Sequence, residues 1–398
     1  MQRNRTPSTR MVMGIAVITV MVNSLPVFMV GSLGPFIRED LGIDTGTLGV
    51  AVSATFAASS LLAMYGGRLG ERLGPFRTLR LSVIAMGVVT IALPLLGPIA
   101  WPMFLGLMVL LGVAMTSVQP AANVAIFRFV PAERQGVGFA VKQSAPRLAT
   151  MFAGLAVPTL GLTLGWRWAF VLTGIIAVVI GAGIPGGRRS DAPPRPTGRF
   201  RRDRGQGLLR GDLLILAAGL TFAGASATTL GIFYVETVIG AGLAAGTAGL
   251  LLAFGSVASI VARLLVGSLV DRGSMRPLPL MTAMILSGAL AGVMFALSRS
   301  TPVLLVATMI GFAGGWGWNG LISYVAVRLH PGSPGEATGV TQGAISLGGV
   351  LGPASFGLLA DVLSLREAWL LLAASSVVGA SLIGVVALRA TRSSATSG

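Results

Sequence analysis

Apolar residues in this chain fall in long unbroken runs, not in the two-residue alternation of a strand or the narrow stripe of a soluble amphipathic helix. Twelve runs stand out, at 11–36, 46–66, 78–98, 101–128, 136–162, 168–186, 211–237, 244–269, 277–297, 302–327, 337–361 and 367–388. About 20 apolar residues carry a helix across a bilayer. Lipid offers the backbone no hydrogen-bond partner, which selects helices for such runs. The pattern predicts an all-α membrane protein with twelve transmembrane helices. The first run is longer than the apolar core of a secretory leader and no small-residue cleavage pattern follows it, so it is expected to remain as a span.

Composition places the chain in the same class: 54% of residues are hydrophobic and 11% charged, with a mean hydropathy of +0.83. The net charge of +16 would suit a nucleic-acid binder if it were spread over a soluble surface, but it is sorted by side. With a cytoplasmic N-terminus, 22 arginines fall on the inner side and only Arg38, Arg167, Arg299 and Arg366 on the outer. This is the positive-inside distribution. An even number of spans then puts both termini in the cytoplasm, and a bacterial inner membrane is the expected location. The basic charge serves orientation and lipid contact, not nucleic acid.

The chain has no cysteine and a single histidine, His330. Disulfides, thiol nucleophiles and Cys/His metal clusters are excluded. The one lysine, Lys142, is followed by Gln143, so no Gly-Lys-Ser/Thr phosphate loop exists. No metal, no cofactor and no enzymatic activity are expected.

Residues 187–210, rich in Pro, Gly and Arg, read as a cytoplasmic basic linker between an N-terminal half (1–186) and a C-terminal half (211–398) of six spans each. The halves repeat. Gly67, Glu71 and Arg72 lie 200 positions before Gly267, Asp271 and Arg272; Gln119 lies 200 before Asn319, and Trp168 lies 201 before Trp369. Two repeated halves with a site between them is a transporter architecture.

The loop Gly67-x-x-x-Glu71-Arg72 and its second copy Gly267-x-x-x-Asp271-Arg272 resemble the signature loop of the major facilitator superfamily, as GGVLGP at 348–353 resembles its small-residue motif. That resemblance implies a fold of two pseudo-symmetric six-helix bundles and a cavity lined by spans 1, 4, 7 and 10. It also extends loosely, through KQSAPRLA, to the anion and cyanate-permease branches. Span 5 lacks the mid-helix Gly-Pro of proton-driven drug antiporters. The acids of the two loops, Glu71 and Asp271, are suited to bind the positive N-terminal ends of neighbouring helices. With Arg72, Arg77, Arg272 and Arg276 they form the expected gating set.

Polar residues at mid-depth mark the expected substrate path. They are Asn23 on span 1, Gln119 and Asn123 on span 4, Tyr234 and Glu236 on span 7, and Trp316, Trp318, Asn319 and Tyr324 on span 10. Interhelical hydrogen bonding, worth about 0.6 kcal/mol on average in membranes, is the competing role. Buried cations are costlier, about 2.5–3.5 kcal/mol each at a helix centre, and three occur: Lys142, Arg147 and Arg263. Lys142 and Arg147 are five residues apart, a turn of roughly 140°, so both cannot face one cavity squarely. Arg147 is the deeper. Acids that could couple transport to protons, Glu236 and Asp361, sit near the outer ends of spans 7 and 11.

The expected function is a secondary or facilitative transporter working by alternating access, acting as a monomer in the bilayer. Its expected substrate is a small inorganic or organic anion held by Arg147, Lys142, Gln143, Asn23, Gln119, Asn123, Trp316, Asn319, Tyr324 and Arg263. The alternatives are a proton-coupled drug exporter and a non-transporting membrane sensor or scaffold.

Overall fold

The computed structural model describes residues 8–186, 210–272, 275–329 and 334–395; the linker proposed for 187–210 lies almost wholly outside them. Among the described residues the regular elements are all helical: α1 Thr9–Ser32, α2 Gly34–Leu41, α3 Thr45–Leu61, α4 Ala63–Leu73, α5 Pro75–Leu96, α6 Trp101–Met115, α7 Val118–Phe129, α8 Ala132–Ala156, α9 Trp166–Gly183, α10 Arg210–Gly240, α11 Ala245–Asp271, α12 Pro277–Leu297, α13 Thr301–Ile310, α14 Ile322–Leu329, α15 Pro334–Val362 and α16 Leu365–Ala395. By length and apolar composition ten spans qualify among the described residues, and eleven if α2 and α3, bent by 115°, count as one. The 25-residue α8 is long enough, but its polar side chains keep it outside that set.

Several predicted spans are broken. Span 4 divides into α6 and α7 because Pro120 has no N–H to give the carbonyl of Thr116 four residues back; the Thr116 hydroxyl donates separately to Gly112 O at 3.0 Å. Span 10 contains no proline beyond Pro302 at its start. Its glycines let α13 pass into a π turn at Gly311–Gly315 and a 3-10 turn at Gly317–Gly320 before α14. Such interruptions need neighbours that satisfy the backbone, a condition met in buried parts of membrane proteins.

The chain divides into two compact units, Met1–Leu41 with Ala54–Arg199 and Gly42–Ser53 with Phe200–Gly398. In the first unit, α5 packs on α9 and α1 on α8; in the second, α12 packs on α16 and α10 on α15. These are the same pairs in repeat order, so the duplication visible in the sequence is a duplication of packing. Small residues make the close approaches: a Cβ on Gly87 of α5 would stand 2.8 Å from Gly174 O of α9. In lipid, where apolar surface gives helices little reason to associate, such backbone proximity supplies the contact.

Candidate functional site

The centre of the first unit is built around a second proline. Pro146 removes the N–H that would have reached the carbonyl of Lys142, loosening α8 where its two cations sit. Lys142 is 3% exposed and Arg147 6%. The Lys142 Nζ donates to Gln119 Oε1 at 2.9 Å and to Asn123 Oδ1 at 2.5 Å. Both acceptors are on α7, one turn apart, which puts them on the same face. Three of the expected site residues are thus brought into one cluster. Two of the ammonium's three donors end on neutral amide oxygens, and no carboxylate pairs with it among the described residues. Asn123 itself is exposed, whereas Lys142 is buried behind it.

Burying a charge without a counter-charge is expensive, and dipolar oxygens lower that cost without cancelling the charge. The cluster therefore keeps its positive charge. On α1, which packs against α7 and α8, Asn23 is 4% exposed and its Oδ1 accepts no hydrogen bond. Gln143 is partly buried beside Lys142 in sequence.

The other expected site residues lie in the second unit. Arg263 leans on the 3-10 turn of Gly317–Gly320, where a Cβ on Gly320 would meet its Cγ at 2.8 Å. Asn319 and Tyr324 are partly buried. Trp316 packs edge-on against Phe312, and Trp318 is fully buried with its indole N–H on Gly315 O at 2.8 Å. The enclosed space that Trp318 borders measures about 20 Å³, room for about one water. Tyr234 is also core, its hydroxyl 2.5 Å from Thr308 Oγ1 and its ring edge-on to Phe295 and Phe312.

Of the expected gating set, Arg72, Arg77, Arg272 and Arg276 are exposed, and a Cβ on Gly67 or Gly267 would meet nothing within 4 Å. The side chains of Glu71 and Asp271 lie outside the described residues. The two coupling candidates have defined partners: Glu236 Oε1 accepts from Thr45 Oγ1 at 3.0 Å, and Asp361 accepts from the backbone N–H groups of Thr45 and Gly46. Sequence reasoning passed over Thr45, Gly46 and Ser53. The available signal was Asp44-Thr45-Gly46-Thr47, a helix start with an acidic cap. It also passed over a second cluster in the first unit, where Asp40 receives the Trp166 indole N–H at 3.1 Å and pairs with Arg167 at 2.9 Å.

Comparison with known proteins supports the same class. A probable sulfoacetate transporter of Cupriavidus necator is 23% identical over 44% of this chain and 40% of its own length. The human monocarboxylate transporter 11 is 30% identical over 58% of this chain and 52% of its own. The chain thus matches about half or less of the length of these curated relatives. Among solved structures, an inward-facing, occupied bacterial homologue of the lysosomal transporter Spinster superposes with a TM-score of 0.76 at 16% identity, covering 94% of this chain and 96% of that one. The nucleoside transporter NupG gives 0.73 at 12% identity over 94% and 98%; at such identities the likeness is one of fold. The profile of the Major Facilitator Superfamily matches residues 16–353 and 216–397, and with both halves and their repeated packing accounted for, the chain belongs to that superfamily as a multi-pass membrane protein.

Proposed function

We propose that this protein carries a small organic or inorganic anion across the membrane by alternating access, with Lys142 as the principal anion contact. The observation that carries the reading is the Lys142 ammonium, buried at 3% exposure with two amide oxygens and no carboxylate as partners among the described residues. A structural cation would be expected to hold an acid. A cation that must receive and release a charged passenger is better served by neutral acceptors, which orient it and yield. Arg147, five residues on and also buried, adds positive potential from the next turn. Asn23, with an idle carbonyl oxygen, suits a donor group on the passenger, such as a hydroxyl. The sulfonate and carboxylate in the names of two relatives fit this chemistry. The membrane is proposed to be the bacterial inner membrane, with both termini cytoplasmic and the monomer as the working unit.

The test is thermal melting of the purified protein with sulfoacetate, lactate, phosphate, xylose and a nucleoside. A ligand of the native state raises the melting temperature by mass action. Stabilisation by one or more anions and by neither neutral compound is expected. Stabilisation by the neutral compounds alone would overturn the anion reading.

A further inference from the structure

A pocket of about 400 Å³ opens in the second unit where α10 and α12 end and α16 begins. Its size falls within the roughly 300–1,000 Å³ of small-molecule sites. The floor is fixed. Trp369, 3% exposed, donates its indole N–H to Thr237 Oγ1 at 2.9 Å, and its ring lies 5.2 Å from that of Phe295. The walls are basic. Arg299, between α12 and α13, and Arg366, in the first turn of α16, both line the pocket and both are exposed. Among the described residues no acid lines it.

Two guanidinium groups on one pocket repel each other unless they share something negative. The acid next to them is committed elsewhere: Glu367 feels the charge of Arg366, but its carboxylate is taken by the Ser364 hydroxyl, a local cap of α16. Arg299 forms no ion pair among the described residues. Beside it, Ser298 Oγ accepts from Ser300 N at 3.1 Å and keeps its own proton for an acceptor.

This concentration of charge runs against the orientation signal. With both termini cytoplasmic, as proposed above, only four arginines lie outside, and membrane proteins keep arginine on the inner side. One of the four, Arg167, is paired with Asp40 in the first unit. Two of the others converge on this one pocket.

We infer that the pocket is an anion site, in which Arg299 and Arg366 clasp a carboxylate, sulfonate or phosphate group above Trp369. Guanidinium groups match such oxygens with paired N–H donors, and the Ser298 hydroxyl adds another. The occupant is a small free anion or the headgroup of an anionic phospholipid, which present the same oxygens. The site is separate from the Lys142 cluster and does not rest on that reading.

Phenylglyoxal, which modifies guanidinium groups, reads each arginine separately once the modified chain is digested and its peptides weighed. The full chain in phospholipid-free non-ionic detergent is modified with and without sulfoacetate or inorganic phosphate, against chloride at equal ionic strength. Occupancy slows modification by 1 + [L]/Kd, so at about ten times Kd both Arg299 and Arg366 should slow roughly tenfold, and Arg167 less than about twofold. Arg299→Ala should abolish the protection of Arg366, and Arg299→Lys should keep part of it. A second arm compares nanodiscs of phosphatidylcholine with and without phosphatidylglycerol. Protection by the free anions assigns the site to a mobile anion; protection that appears only with phosphatidylglycerol assigns it to a lipid headgroup. Absence of protection in both arms, equal protection of Arg167, or protection of Arg366 that survives Arg299→Ala would overturn the site. Lys142→Met should leave the protection intact, so failure of the Lys142 reading and failure of this one are read separately.

Discussion

Asn123 and Lys142 meet side chain to side chain at 2.5 Å, a neutral oxygen on α7 facing a buried ammonium on α8. The two residues come from successive spans, the first divided before α7 at Pro120 and the second, α8, continuous with Pro146 inside it. The neutrality of the amide leaves the ammonium without a counter-charge in this contact.

That neutrality predicts an asymmetric response at position 123. Asn123→Asp keeps the shape and the hydrogen bond but supplies a permanent counter-charge, so anion affinity should fall at least about tenfold, while the melting temperature holds or rises. Asn123→Ala removes one acceptor and keeps the charge, so the anion response should stay within a factor of about three. Titration of both variants with the stabilising anion, read by melting temperature, checks the contrast. Equal losses in the two variants would mean that shape, not charge, matters at this position.

Helix contact in the second unit depends on bare backbone at one crossing. A Cβ on Gly315 would stand 2.6 Å from Gly288 Cα, backbone that cannot step aside. Gly315→Ala should cost about 1–3 kcal/mol through overpacking and lower the melting temperature in detergent. Gly267→Ala, where a Cβ would meet nothing within 4 Å, should leave it unchanged.

The exposed ion pair of the first unit should matter little. Arg167 and Asp40 are 2.9 Å apart, but their side chains are 53% and 37% exposed. Arg167→Ala should shift stability by no more than about 1 kcal/mol. A larger drop, measured by thermal melting at about 0.15 M salt, would show that the stacking of Arg167 on Trp166 contributes more than the charge.

Much of this was legible in the sequence because lipid simplifies the code. Apolar runs gave the all-helical membrane class, although ten or eleven of the twelve expected spans qualify among the described residues, arginine counts gave the expected orientation, and the 200-residue offsets gave a duplication whose packing of α1 with α8 and α10 with α15 only the structure shows. The cluster was visible as Lys142, Gln119 and Asn123, but not its geometry. Depth along span 5 favoured Arg147, whereas the side-chain reach of Lys142 to α7 depends on how α8 rotates around Pro146, which no periodicity encodes. The tryptophans of span 10 looked equally able to line a cavity or fill a core, since glycine neighbours suit both. In the structure Trp316 and Trp318 are 2% and 0% exposed. The hydrogen bonds from α3 to Asp361 were least legible, because Thr45 and Asp361 are 316 positions apart and neither is unusual in its own loop.

Lys142→Met tests the central claim most directly. Methionine fills a similar volume, removes the charge and relieves its desolvation, so folding should survive with a melting temperature close to the parent's. Initial uptake of labelled sulfoacetate into proteoliposomes, or of whichever anion stabilises the parent, should fall roughly 10- to 100-fold, as expected for losing a hydrogen-bonded charge contact. Uptake by a well-folded Lys142→Met protein at the parent rate would contradict the account.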